Sequence, residues 1–206
     1  MHPKVTTAIE HLRQDKQLKT IIDTVELDYH WEPDERGDVY WQLQRAIVGQ
    51  QISVKAAASI FERFLLLFPD GYPHPKLLLD MSDETLRGAG LSKQKLRYVH
   101  AVAEHFVDND LLNQDWEDWS DDDIMKELVQ IKGVGEWSVR MILMFCLQRA
   151  DILPTKDLGI QYTMQRLYGL EETGTALRRK METVAAPWRP YRTLACFYLW
   201  SWKHRW

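Results

Sequence analysis

LVQIKGVGEWSVRMILMF, residues 128–145, is the stretch on which the fold turns. Apolar residues at helical spacing run up to Gly133-Val134-Gly135, and a second apolar run begins directly behind them. Residues 121–149 read as two helices joined by IKGVGE. Ile124, Leu128 and Ile131 share one face of the first helix. The second, EWSVRMILMFCLQ, is apolar nearly all round and is expected to be buried. Glycines at 133 and 135 permit backbone angles that a Cβ forbids, so the connection can be very tight. Such a turn aims several backbone N–H groups at one spot, at the start of the second helix, and that spot suits a phosphate. An ordinary helical hairpin with a glycine C-cap uses the same letters. A dinucleotide-binding fingerprint does not, because no strand precedes the turn and the third glycine is missing.

The helical pattern continues on both sides. Residues 5–12 and 18–23 are candidate helices, followed by the turn-rich EPDERGD. Residues 39–68 read as two helices broken at Gly49, with Ser53 capping the second, and 69–75 (PDGYPHP) as a loop. Ser82 and Ser92 stand at cap positions, and Leu96, Val99, Ala103 and Phe106 recur at i, i+3, i+7 and i+10. Ser120-Asp-Asp-Asp is a helix start, its carboxylates placed well against the macrodipole. Sustained two-residue alternation is nowhere found, so the expected class is all-α.

Composition sets further bounds. The 206 residues suffice for one domain or two small ones, and the formal net charge of -4 neither announces nor excludes a nucleic-acid binder, since phosphate contact depends on a local patch. Two cysteines, Cys146 and Cys196, sit in apolar runs and read as buried reduced thiols; the count excludes an iron–sulfur cluster. The seven histidines (His2, His11, His30, His74, His100, His105 and His204) are scattered and lack metal-site spacing. No signal core or membrane-length apolar run occurs, so a soluble, cytoplasmic protein is expected. The loops at 31–38 and 150–157 are the boundary candidates. They divide the chain into a central lobe, 38–150, carrying the hairpin at 121–149, and a second lobe built from 1–37 plus 151–206.

Beyond the hairpin the chain continues as SVRMILMFCLQRADILPTKDLGIQ, with Leu153-Pro154-x-x-Asp157. Together these blocks resemble the helix-hairpin-helix DNA glycosylase superfamily. RAIVGQQISVKAA (45–57) and GLSKQKLRYV (90–99) look like its 3-methyladenine DNA glycosylase II type. The resemblance spans about residues 38–206 and implies a two-lobed helical bundle with the active-site cleft between the lobes. The form expected from the resemblance is the compact one, without the β-rich N-terminal domain of many relatives. Bifunctional members place a lysine two residues after the second hairpin glycine, where this chain has Trp137. The resemblance therefore implies a monofunctional enzyme, with no Schiff base and no AP-lyase step.

The implied reaction is hydrolysis of the N-glycosidic bond of alkylated bases, 3-methyladenine and 7-methylguanine among them, in duplex DNA. Asp157 is the candidate catalytic carboxylate, stabilising the cationic sugar of the transition state; capping a helix from Leu158 is its other reading, and both can hold. Electron-rich faces select a cationic flipped base, and Trp137, Trp200, Tyr40 and Trp41 are the pocket candidates. Core packing competes for all four and is the stronger reading for Trp41. Gln51, with Gln50 beside it, matches the position that fills the gap left by the base. Backbone anchoring falls to Lys132, Gly133, Gly135 and Ser138, with Lys93 and Lys95 as further phosphate candidates. The main-chain carbonyls of Val129, Ile131 and Val134 would hold a structural monovalent cation at the hairpin, and catalysis itself needs no cofactor. A monomer with damaged duplex DNA as its partner is expected. The competing functions are a non-catalytic helix-hairpin-helix DNA-binding module and a glycosylase for deaminated or oxidised bases.

Overall fold

Serine hydroxyls begin four of the helices at the positions expected of them. Those of Ser53, Ser82, Ser92 and Ser120 accept the N–H groups of Ala56 (3.3 Å), Thr85 (3.2 Å), Lys95 (3.3 Å) and Asp123 (3.1 Å), donors that the first helical turn leaves without a partner. The computed structural model describes residues 3–27 and 38–203. Among these it has α1 (Pro3–Leu12), α2 (Lys16–Ile22), α3 (Val39–Gly49), α4 (Val54–Leu65), α5 (Pro75–Asp80), α6 (Asp83–Gly88), α7 (Lys93–Asp108), α8 (Asp121–Leu128), α9 (Glu136–Met141), α10 (Leu158–Tyr168), α11 (Gly174–Ala185) and α12 (Arg192–Lys203), joined by turns and short 3-10 segments. No strand occurs among the described residues, so the class is all-α. No described helix is long and apolar enough to cross a membrane.

The chain divides into two compact units, Asp34–Ile142 and Met1–Pro33 with Leu143–Trp206. In the first, α7 packs against α3 and α5. Leu96, Val99, Ala103 and Phe106 are all buried, as their spacing predicts, together with Leu43, Ile47 and Leu78 from the facing helices. Each of the Leu, Val, Ile and Phe side chains stabilises the unit by roughly 1.5–3 kcal/mol, and the Ala103 methyl by less. Gln44, wholly buried in α3, donates its amide N–H to the Val99 carbonyl of α7 at 3.1 Å, which offsets part of the cost of its burial.

In the second unit α12 lies against α10 and α2. Asp15 knits its two chain segments together. One carboxylate oxygen caps α2 through the N–H groups of Gln17 (2.9 Å) and Leu18 (3.0 Å). The other accepts the Tyr168 hydroxyl and the Trp188 indole N–H, each at 2.9 Å. Both cysteines are buried free thiols, as expected.

Three expectations about the elements need correction. Pro75 opens α5 and does not close the preceding loop; its missing N–H costs nothing at a first helical position. The helix after the hairpin does not run unbroken to 148: α9 ends at Met141 and a π turn, Ile142–Cys146, replaces it. The passage between units falls within that segment, at 142–143, and not after residue 150. Residues 31–37 of the other boundary loop lie outside the described residues, as do His2, His30 and His204.

Candidate active site

The first half of the loop leading to Asp157, residues 149–152, is held by the start of α12. The Thr193 hydroxyl donates to the Arg149 carbonyl (2.6 Å) and accepts the Ile152 N–H (3.0 Å), while the Thr193 N–H reaches the Ala150 carbonyl (3.0 Å). Arg192 forks onto Asp151, Nε to Oδ1 at 2.6 Å and Nη2 to Oδ2 at 3.0 Å, with a further bond to the Asp151 carbonyl at 2.6 Å. Ile152, Leu153, Pro154 and Thr155 are buried beneath. The loop closes when the Asp157 N–H donates to the Pro154 carbonyl at 2.8 Å.

Asp157 then caps α10. Its Oδ1 accepts the Ile160 N–H at 2.9 Å and also the Trp200 indole N–H at 2.9 Å. The carboxylate is half-buried and stands at the N-terminal end of an eleven-residue helix. Gly159 lets this corner pack closely: a Cβ on it would stand 3.0 Å from Asp157 Oδ1, 3.3 Å from Lys203 Nζ and 3.3 Å from Trp200 Cδ1, tight contacts that the neighbours would have to yield to. Cys196 is buried below. Burial pushes its thiol pKa up, the Asp157 charge adds to the effect, and the sulfur stays protonated and unreactive.

Trp200 does not stand alone. Its ring stacks on Phe145 (centroids 5.9 Å, 24° between planes) and lies tilted over Phe197 (6.0 Å, 32°). Phe145 and Phe197 meet at 5.4 Å. Phe145 keeps 43% of its surface exposed, so this cluster presents an aromatic face to solvent beside Asp157. Reading the sequence missed Phe145, because one continuous helix buries it with its neighbours; the π turn shifts the register instead. The only available signal was an aromatic residue inside the apolar run.

The remaining pocket candidates lie in the other unit. Trp137, in the first turn of α9, is 46% exposed and presents an aromatic surface. Tyr40 is a core residue: it is buried, its ring sits 5.3 Å from Phe106, and its hydroxyl donates to the Pro73 carbonyl at 2.6 Å. No face of Tyr40 remains for a base. Trp41 packs edge-on against Phe61 at 5.1 Å with the Arg45 guanidinium 5.6 Å from its ring, which fits the packing explanation.

At the hairpin only Gly133 needs glycine for its conformation, with φ +96°; a Cβ there would also come within 2.4 Å of the Tyr98 ring. Gly135, with φ −106°, takes an angle open to any residue, and its missing Cβ would meet nothing within 4 Å. The expectation that both glycines relieve the backbone is therefore half right. Among the described residues nothing requires a glycine at 135. Lys132 is exposed beside it, and Lys93 is exposed at the start of α7. Ser138 is a buried residue in the first turn of α9. The Ile131 carbonyl accepts the Val134 N–H at 3.0 Å, and Val129 caps α8.

Two polar candidates have other commitments. Lys95 donates to the Val48 carbonyl at 2.7 Å, and burial lowers its pKa, so its charge serves the end of α3 in place of a phosphate. Gln50 donates its side-chain amide to the Gly133 carbonyl at 2.9 Å and does not project as a wedge. Gln51 does project: it is exposed, with φ +58°, a left-handed conformation costing a non-glycine residue about 1–3 kcal/mol.

Comparison with known proteins places this geometry among relatives. Residues 45–190 match the family described as HhH-GPD superfamily base excision DNA repair protein. DNA-3-methyladenine glycosylase 1 of Schizosaccharomyces pombe is 34% identical over 170 residues, 81% of this chain and 73% of that protein. Among solved structures, the 3-methyladenine DNA glycosylase of the same yeast in complex with abasic DNA superposes with a TM-score of 0.80 at 32% identity, covering 94% of this chain and 95% of that one. The DNA-3-methyladenine glycosidase of Bacillus halodurans superposes with a TM-score of 0.78 at 33% identity, covering 99% and 90%.

Proposed function

Because this chain belongs to the HhH-GPD superfamily of base excision DNA repair proteins, we propose that it is a DNA glycosylase that removes alkylated bases from duplex DNA. The bond cleaved is the N-glycosidic bond of a flipped nucleotide, and 3-methyladenine and 7-methylguanine are the substrates proposed. The observation that carries this reading is the carboxylate of Asp157, fixed by Trp200 and by the first turn of α10 at the edge of an exposed aromatic cluster. Alkylation leaves the purine cationic, so π faces attract it and the glycosidic bond is weakened. The carboxylate then stabilises the positive sugar as the bond breaks, in a position that needs no reorganisation.

The enzyme is monofunctional in this reading. Trp137 stands where a Schiff-base lysine would be required, so water is the nucleophile and an abasic site the product. The hairpin holds the DNA backbone through the main-chain N–H groups near Gly133, Gly135 and Ser138, with Lys132 and Lys93 adding charge. The carbonyls of Val129, Ile131 and Val134 suit a hard monovalent cation: they are uncharged oxygens, and that of Ile131 keeps a second lone pair beyond its turn bond. Such a cation would add positive charge at the hairpin. Gln51 fills the gap left by the base.

The test is base release from methylated duplex DNA by wild type and Asp157→Asn, with products separated by chromatography. Methylated purines from wild type alone, and strand breaks only after alkali, are expected. Undiminished release by Asp157→Asn sinks the assignment of the carboxylate, and direct nicking by wild type sinks the monofunctional reading. Salt-sensitive binding indifferent to lesions, with no product, would leave a DNA-binding module.

A further inference from the structure

The strained residue Gln51 sits in a short turn between α3 and α4, and three contacts around it form a closed triangle. Lys95, at the start of α7, holds the Val48 carbonyl at the end of α3 at 2.7 Å. Tyr98, one turn later on α7, occupies the space that a side chain at Gly133 would need, so α7 fits against the hairpin. Gln50 closes the figure by donating to the Gly133 carbonyl at 2.9 Å. On the far side of the turn, the Ser53 cap begins α4. Gln51 is therefore fixed on both flanks and free only in its side chain, and Gly133 belongs to the turn read as the phosphate contact.

We propose that Gln50 is a positioning residue: its side-chain amide ties the turn that carries Gln51 to the hairpin, so that the hairpin's grip on DNA sets where Gln51 enters the base stack. The inference rests on the glycosylase reading above. An amide at this position can donate to the carbonyl oxygen without adding a charge, and its two side-chain methylenes span the distance. Without the donor, the turn is released from the hairpin and the left-handed residue can relax to commoner angles. DNA would still bind the hairpin, but Gln51 would arrive in varied places, and extrusion of the base would slow.

Three proteins test this: wild type, Gln50→Leu, which fills similar space without a donor, and Gln50→Lys, whose amine can reach the carbonyl. Single-turnover release of 7-methylguanine should fall about tenfold in Gln50→Leu, with affinity for undamaged duplex within about twofold, since misplacement costs rate before it costs binding. Gln50→Lys should recover to within about threefold of wild type, because the donated hydrogen bond is restored. Hydrogen–deuterium exchange, read without DNA, should rise together in peptides covering 49–54 and 131–136 in Gln50→Leu alone. Wild-type release rates in Gln50→Leu overturn the proposal. So does Gln50→Lys as slow as Gln50→Leu, or exchange that loosens in neither peptide. If wild type releases no base, the glycosylase reading is what fails, and the exchange data still decide whether Gln50 couples the two segments.

Discussion

The indole N–H of Trp200 donates to Asp157 Oδ1, the same oxygen that accepts the Ile160 N–H at the start of α10. One aromatic residue thus serves two tasks: its ring belongs to the exposed cluster with Phe145, and its nitrogen fixes the carboxylate. Trp200→Phe separates them, since it keeps a stacking face and removes the donor. A hydrogen bond to a charged group contributes about 1.5–3 kcal/mol, so single-turnover base release should drop about tenfold or more. Affinity for abasic duplex should stay within about threefold, because few DNA contacts are lost. Release at the wild-type rate would mean that the cap alone orients Asp157.

Asp157 itself can be divided in a similar way. Asparagine is as good an N-cap as aspartate, so Asp157→Asn should melt within about 2 °C of wild type. It should nonetheless lose base release by about a hundredfold or more, because the charge opposite the sugar is gone. Asp157→Ala should lose activity likewise and about 1 kcal/mol of stability in addition, measured by chemical denaturation.

The two hairpin glycines should behave oppositely. Gly133→Ala places a Cβ 2.4 Å from the Tyr98 ring at φ +96°, and should cost roughly 2–4 kcal/mol of stability. Tyr98→Ala in the same chain should recover the steric part of that loss and leave the backbone part. Gly135→Ala meets no atom of the described residues within 4 Å, so its melting temperature should hold within about 2 °C. Its affinity for undamaged duplex should nevertheless fall about fivefold, if a phosphate approaches the backbone there. Unchanged affinity would remove Gly135 from the DNA-contacting surface.

Alkaline pH should expose the tyrosines that hold each unit together. Burial raises the pKa of Tyr40, Tyr168 and Tyr198, and for Tyr168 the Asp15 charge adds to it. Above about pH 10 the unfolded chain loses these protons while the folded protein keeps them, so stability falls as pH rises. Denaturation followed from pH 8 to 11 should show this decline. Asp15→Asn should make it shallower by removing the charge facing Tyr168, while costing about 1–3 kcal/mol at neutral pH through the paired donors of Tyr168 and Trp188. A flat profile above pH 10 would contradict the burial of these hydroxyls.

Much of this protein was legible from local order alone. Helical periodicity, serine caps and the Gly-Val-Gly turn are properties of neighbours within a few residues, and they determine an all-α chain with a tight hairpin and a helix-capping aspartate after Leu153-Pro154. What each candidate side chain does depends on partners remote in the chain. Trp200 and Asp157 are 43 positions apart, Lys95 and Val48 47, and Gln50 and Gly133 83. Whether Gln50 projects or braces, whether Tyr40 is open or sealed, and whether Phe145 faces the core or the solvent are settled by that packing. Periodicity says which face of a helix is apolar; only the assembled fold says what lies against it, and which polar atoms are already bonded.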